Sequence, residues 1–206
     1  MSTTEEAVTC DDGLKRCPWA VAPPENRRYH DDEWGRPTGD DRRIFEKLCL
    51  EGFQSGLSWL TILRKREGFR MAFASFDPVA VAGFGEQDVE RLLSDISIVR
   101  HRGKIEATIA NARALVALWA AGESLAALLW SYEAPASSPA ATADVPASTG
   151  QSQGLSASLR RHGFLFVGPT TVYAAMQSLG VVNDHLSACH FRSIAEAERS
   201  RFVRPV

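Results

Sequence analysis

The stretch that decides the fold is Lys104-Ile105-Glu106-Ala107-Thr108-Ile109-Ala110-Asn111-Ala112-Arg113-Ala114-Leu115-Val116-Ala117-Leu118-Trp119-Ala120. Ile105, Ile109, Ala112, Val116 and Trp119 recur at three- and four-residue intervals, the rhythm of one apolar helix face. Gly122 suits the end of that helix. Upstream, Glu86 to Leu93 predicts a second helix, and Arg100-His101-Arg102-Gly103-Lys104 reads as the turn between the two. Further out, Asp77-Pro78 places a cap and a first-turn proline before a short helix ending near Ala82. Asp40 caps a helix carrying Ile44, Phe45, Leu48 and Cys49, and Leu57 to Arg66 resumes the rhythm after Gly52 and Gly56. Downstream, Leu125 to Trp130, Leu155 to Arg161 and a helix opened by Gly168-Pro169 and closed by Gly180 complete the pattern. Phe164-Leu165-Phe166-Val167 reads as either a short strand or a buried turn. Strands are otherwise nearly absent, so the expected fold is all-α with nine or ten short helices.

The edges are irregular. Residues 1 to 39 hold Pro18, Pro23, Pro24, Gly35, Pro37 and Gly39 as breakers. Residues 1–14 are expected to be a disordered tail, 15–192 a single helical domain of two lobes, and 193–206 a C-terminal tail. Ser131 to Gly154, rich in alanine, serine and threonine, is long for a loop inside a compact domain and reads as a crossing between the lobes.

Composition narrows the function. The 206 residues carry 23 basic and 25 acidic side chains, a balance that does not announce nucleic acid. A polyanion would need a local basic patch, and Arg100 to Lys104 is the densest, ahead of Arg160-Arg161-His162 and Arg64-Lys65-Arg66. There Gly103 allows close backbone approach, the first amides of the following helix can meet a phosphate, and Lys104 would add charge. The most apolar run, Ala110 to Leu129, contains Asn111, Arg113 and Glu123 and does not read as a membrane span. Met1 to Glu6 lacks the apolar run of a signal peptide, so a cytoplasmic location is expected.

Four cysteines, Cys10, Cys17, Cys49 and Cys189, are then not expected to pair as disulfides. His185 and Cys189 stand four apart, on one face if that segment is helical. Cys17 and His30 bracket proline-rich chain, a natural place for a metal clip. Those four would complete a tetrahedral zinc site, with Cys10 and His101 as competing ligands; the plain alternative is a buried thiol and a hydrogen-bonded histidine.

Two polar runs stand out. Tyr29-His30-Asp31-Asp32-Glu33-Trp34-Gly35 is either a solvated turn anchored by Trp34 or a functional cluster. In Leu50-Glu51-Gly52-Phe53-Gln54-Ser55-Gly56-Leu57-Ser58-Trp59, Glu51 sits between apolar segments, where a carboxylate needs a partner or a ligand. Trp59, Tyr29 and Trp34 are either core residues or an aromatic box for a planar group.

At these motifs the chain resembles the DNA-3-methyladenine glycosylase I family of the helix-hairpin-helix glycosylase superfamily. The resemblance runs from Cys17 to Cys189. It is carried by Cys17-Pro18-Trp19, the runs at 29 to 35 and 50 to 59, Ile98-Val99-Arg100-His101-Arg102-Gly103-Lys104-Ile105, and Val182-Asn183-Asp184-His185-Leu186-Ser187-Ala188-Cys189. It implies a monofunctional enzyme that excises 3-methyladenine from alkylated double-stranded DNA by hydrolysing the N-glycosidic bond, acting as a monomer. It also implies a structural zinc on Cys17, His30, His185 and Cys189. Glu51 would be the catalytic residue and hydrogen-bond the methylated base, Trp59 would stack on it, and Tyr29 would be a second aromatic wall. Arg100, Arg102, Gly103 and Lys104 would hold the DNA backbone. The usual superfamily aspartate has no counterpart at the expected place. Asn26 departs from the pattern, standing where familiar members carry another pocket tyrosine. Broader base specificity, damage recognition without excision, and a zinc-clipped interaction module are the competing readings.

Overall fold

The computed structural model describes residues 5–134 and 137–206. Within them run a two-residue hairpin, β1 (Val8–Thr9) with β2 (Lys15–Arg16), and ten α-helices. The helices are α1 (Pro24–Asp32), α2 (Asp41–Gln54), α3 (Trp59–Ala72), α4 (Pro78–Ala82), α5 (Glu86–Ser94), α6 (Arg102–Ala120), α7 (Leu125–Trp130), α8 (Gly150–Arg161), α9 (Pro169–Ser178) and α10 (His190–Arg201). The expected all-α architecture is the one observed. No helix among the described residues is long and apolar enough to cross a membrane.

Short polar side chains start the helices. Asp40 accepts from the Arg42 and Arg43 amides, Ser58 from Thr61, and Asp77 from Val79 and Ala80 ahead of Pro78. Asp41 serves another helix: its carboxylate accepts from the Leu125 and Ala126 amides at the start of α7 and from the Trp119 indole. This ties the first turn of α2 to the far end of α6. α2 runs through the centre with Ile44, Phe45, Leu48 and Phe53 buried, flanked by α6, α9 and α3. Phe69, Phe73 and Phe76 extend its apolar face, and Phe53 meets Phe69 at 4.5 Å between ring centres.

Three expectations are corrected. Residues 24–32 are helical: Pro24 fills the first helical position, where it starts a helix rather than breaking one. The expected N-terminal tail is structured from residue 5: the hairpin forms, and Glu6 bridges to Ala141. Met1 to Thr4 lie outside the described residues, as do Pro135 and Ala136 of the 131–154 connection. The rest of that connection crosses between the chain ends: Thr142 donates to the Glu5 carbonyl, and the Ser187 amide to that of Pro139. The expected tail 193–206 continues α10, where Arg199 is buried and, with Arg204, pairs with Glu133. Both guanidiniums therefore serve the fold. Of the two readings of 164–167, the chain takes the turn, with Phe164 and Val167 buried and Leu165 and Phe166 exposed; Asn111 pins it, donating to the Leu165 carbonyl and accepting from its amide.

Candidate metal centre and base chamber

The chain brings Cys17, His30, His185 and Cys189 together, all buried, with ligand atoms within 4.8 Å of one another. Cys17 follows β2, and His30 lies in the last turn of α1. His185 and Cys189 are in an irregular turn, with Cys189 as the residue before α10, so they converge through the turn and not along a helix face. Two glycines make that approach possible. A Cβ on Gly35 would lie 3.1 Å from His185 Nε2, and one on Gly180 would lie 2.7 Å from the Gly35 carbonyl oxygen; both residues have positive φ.

The spacing fits zinc. Bonds of about 2.3 Å to sulfur and 2.0–2.1 Å to nitrogen give tetrahedral edges of roughly 3.3–3.8 Å. His30 Nε2 lies 3.1 Å from His185 Nδ1, Cys189 Sγ lies 3.6 Å from each of them, and Cys17 Sγ lies 4.0 Å from His185 Nδ1. The nitrogens turned away from the centre are also engaged. His30 Nδ1 meets Asp31 Oδ1 at 2.8 Å, and His185 Nε2 faces the Trp34 carbonyl at 3.3 Å. Asp31 is gripped by Arg16, whose guanidinium also binds Asp12. Such outer partners fix the orientation of ligating imidazoles. The thiols act as a pair: a hydrogen bond between them pushes Cys17 far up, aided by burial, and pulls Cys189 down. One thiolate forms readily, and a dication would draw off the second proton. The centre is a structural zinc site with four protein ligands. The competing ligands fall away: Cys10 lies outside the cluster, and His101 caps α6 through Nδ1. Cys49 is buried against α6, its thiol pushed up to about 12 by burial.

Beside this centre lies a chamber of about 400 Å³, which Tyr29, Trp34, Glu51 and Trp59 all line. Tyr29 and Trp59 stand 5.1 Å apart between ring centres. Trp34 has its other faces against the ligands, 4.6 Å from the His185 ring and stacked at 6.0 Å on His30. The metal centre therefore stiffens one chamber wall. Burial, with Glu51 and Glu33 adding to it, holds the Tyr29 hydroxyl well above the usual phenol range, so it stays protonated. Asn26 also lines the chamber; its amide nitrogen donates to the Trp19 carbonyl, and its Oδ1 is buried without a partner among the described residues.

Three residues of this region escaped sequence reasoning. Lys47, one turn before Glu51, is buried with Nζ 2.9 Å from Glu51 Oε1. The four-residue spacing to Glu51 was the available signal. Asp184, buried on the chamber wall, accepts from Tyr173 at 2.5 Å, Gln177 at 2.9 Å and Ser137 at 2.8 Å. Trp19 meets both His30 and Trp34 at 5.2 Å.

The hairpin α5–α6 corrects the expected DNA contacts. Lys104 is buried, and its ammonium donates to the carbonyls of Phe53 at 2.9 Å and Ser55 at 2.6 Å. It closes the end of α2, with little of the side chain left exposed. Arg102 is exposed but ringed by Glu86, Glu90 and Glu106. Arg100 is exposed and makes no ion pair among the described residues, and Gly103 lies in the first turn of α6.

An aromatic chamber holding a buried glutamate, in an all-α chain whose α5–α6 hairpin is fastened to the end of α2 by Lys104, fits the helix-hairpin-helix DNA glycosylases, and this protein is of that class. The family model described as Methyladenine glycosylase matches residues 19–193, and the chain belongs to that family. It is 48% identical over 179 residues to DNA-3-methyladenine glycosylase 1 of Escherichia coli (strain K12), covering 85% of this chain and 96% of that one. Among solved structures, a crystal structure of 3-methyladenine DNA glycosylase I matches with a TM-score of 0.83 at 48% identity, covering 85% of this chain and 98% of that one. A variant of 3-methyladenine DNA glycosylase I in complex with 3-methyladenine matches with a TM-score of 0.82 at 34% identity, covering 86% and 97%.

Proposed function

We propose that the protein excises 3-methyladenine from alkylated double-stranded DNA by hydrolysing the N-glycosidic bond, as a cytoplasmic monomer without strand cleavage. The observation that carries this reading is the buried Glu51 carboxyl facing the chamber that Tyr29 and Trp59 wall.

The target bond lies inside a duplex, so the nucleotide must first be flipped out; a damaged, poorly paired base costs least to extrude. Methylation at N3 makes the adenine cationic and already a good leaving group. The ring enters against Trp59, whose face favours an electron-poor partner. Glu51 accepts a hydrogen bond from the base and opposes its charge. The partnerless Asn26 Oδ1 offers a second acceptor for an exocyclic amine. As the bond from C1′ to the base breaks, its electron pair leaves with the base, which becomes neutral. Water adds to the oxocarbenium-like C1′ and gives up its proton. Asp184, which accepts from three neutral donors, adds negative potential on the chamber side.

Zinc, bound through four protein ligands, supplies structure: it pins the chain ends and, through His30, places Tyr29. Backbone binding falls to the start of α6, where the amides of Arg102 and Gly103 have no intrahelical acceptor and Arg100 is free to pair with a phosphate. Calorimetry with free 3-methyladenine should find one site per chain, lost in Trp59→Ala; equal binding by that variant would count against the chamber. A folded wild-type protein that binds the duplex and releases no base would be a damage reader instead.

A further inference from the structure

Lys47 occupies a position that the proposed reaction does not use. Its ammonium lies 2.9 Å from Glu51 Oε1, donates to the Tyr29 hydroxyl at 2.5 Å, and stands 3.6 Å from the centre of the Trp59 ring. It does not line the chamber. It lines a separate polar cavity of about 70 Å³, which Tyr29 and Trp59 also border. A base in the chamber and the ammonium behind it thus share the same two rings as a partition. Of the other charges lining that cavity, Arg66 pairs with Glu33 at 2.6 Å, Arg70 with Glu46 at 2.7 Å and Arg36 with Glu198, while Arg43 makes no ion pair among the described residues. Burial lowers the Lys47 pKa, and Glu51 works against that fall.

This arrangement reduces the pull on a cation in the chamber. A carboxylate with an ammonium 2.9 Å away presents a weakened negative charge to the base. A cation already seated on one face of an indole also draws electron density from the other face, where the base would stack. Asp184, with neutral donors only, is left as the wall's uncompensated negative group.

We propose that Lys47 is a specificity-determining residue that offsets the chamber's preference for positively charged bases and so admits uncharged modified purines of the same shape. This rests on the reading of the chamber as the 3-methyladenine site. The test uses two probes of one shape: 3,9-dimethyladeninium, a fixed cation, and the neutral isostere with carbon in place of N3. Their dissociation constants are measured by calorimetry at one salt concentration and one mildly alkaline pH, where N1 of the isostere is unprotonated, for the wild type, Lys47→Met, Lys47→Gln and Lys47→Arg. The ratio of neutral to cationic constants should rise about tenfold or more in the Met and Gln variants. It should stay at the wild-type value in the Arg variant. The Gln side chain keeps a donor for Tyr29, so it guards against a Met variant that fails to fold, as checked by circular dichroism. An unmoved ratio in a folded Met or Gln variant overturns the proposal, as do two constants that shift in parallel. So does a wild type that excises 3-methyladenine but binds neither probe. Release of 3-methyladenine from methylated DNA by the wild type tests the underlying reading separately. Release with an unmoved ratio removes the role of Lys47 alone; no release removes the assignment of the chamber.

Discussion

Replacing Glu51 by glutamine keeps the volume and removes the charge, and the structure sets the size of both consequences. The carboxylate is buried, and Lys47 at 2.9 Å is its ionic partner. Removing one partner from a buried pair costs about 3–5 kcal/mol. The lower end applies here, because the amide oxygen still accepts and Tyr29 still takes a hydrogen bond from the ammonium. For a chain of this length about 3 kcal/mol corresponds to a fall in melting temperature of roughly 6–12 °C. The sign of the pH dependence follows from Lys47. Burial depresses its pKa in the folded state, so unfolding takes up a proton, and stability rises with pH between the folded and unfolded values. Glu51 normally raises the folded value; without it the rising window must start at lower pH. Loss of charge opposite a cationic base should cost about 10²–10³ in rate. The assay is single-turnover release of 3-methyladenine from methylated duplex, beside thermal melts over a pH series. A destabilised Glu51→Gln that excises at the wild-type rate would reduce Glu51 to an anchor for Lys47 and refute its role at the base.

Other outcomes follow from the same contacts. Purified protein should carry one zinc per chain, and Cys189→Ser should lose it. Structural zinc contributes about 10–16 kcal/mol in small domains, so that variant should show proteolysis near the N-terminal hairpin; full zinc content would contradict the ligand set. Lys104→Met should lower stability by about 1–3 kcal/mol, since two carbonyls lose a donor. The salt slope of its DNA binding should be unchanged; a slope reduced by about one would mean a phosphate contact after all. Gly180→Ala should cost about 2–4 kcal/mol, because φ is +71° and the new Cβ would lie 2.7 Å from backbone of residues 35 and 37. A neutral result in chemical denaturation would contradict that packing.

Helix positions were legible wherever a short polar cap met a periodic apolar stripe, as at Asp40, Asp77-Pro78 and Lys104 to Ala120. α1 was hidden because Pro23 and Pro24 look like breakers and the run after them is crowded with charge; its inward face carries Tyr29, which meets Lys47 and Trp59, and His30, whose partners lie more than 100 residues away. The zinc ligands were named from spacing and resemblance, but the reason given for His185 and Cys189 was wrong: a turn, not a helix face, brings them together. Lys104 shows the sharpest limit. A lysine in Arg-His-Arg-Gly-Lys looks solvated, and only the end of α2 lying over it reveals two carbonyls waiting for its ammonium. Lys47 failed similarly, since pairing with Glu51 requires the helix to be buried at a charged position. Glu133 could not be linked to Arg199 and Arg204 before the chain's return path was known.

Whether the Glu51, Tyr29 and Trp59 chamber hydrolyses one glycosidic bond type is decided by incubating the zinc-loaded protein with randomly methylated DNA and identifying every free base released. Free 3-methyladenine is expected, with strands that stay intact until alkali cleaves them at the abasic sites. Tight binding to the same DNA with no free base in solution would contradict it.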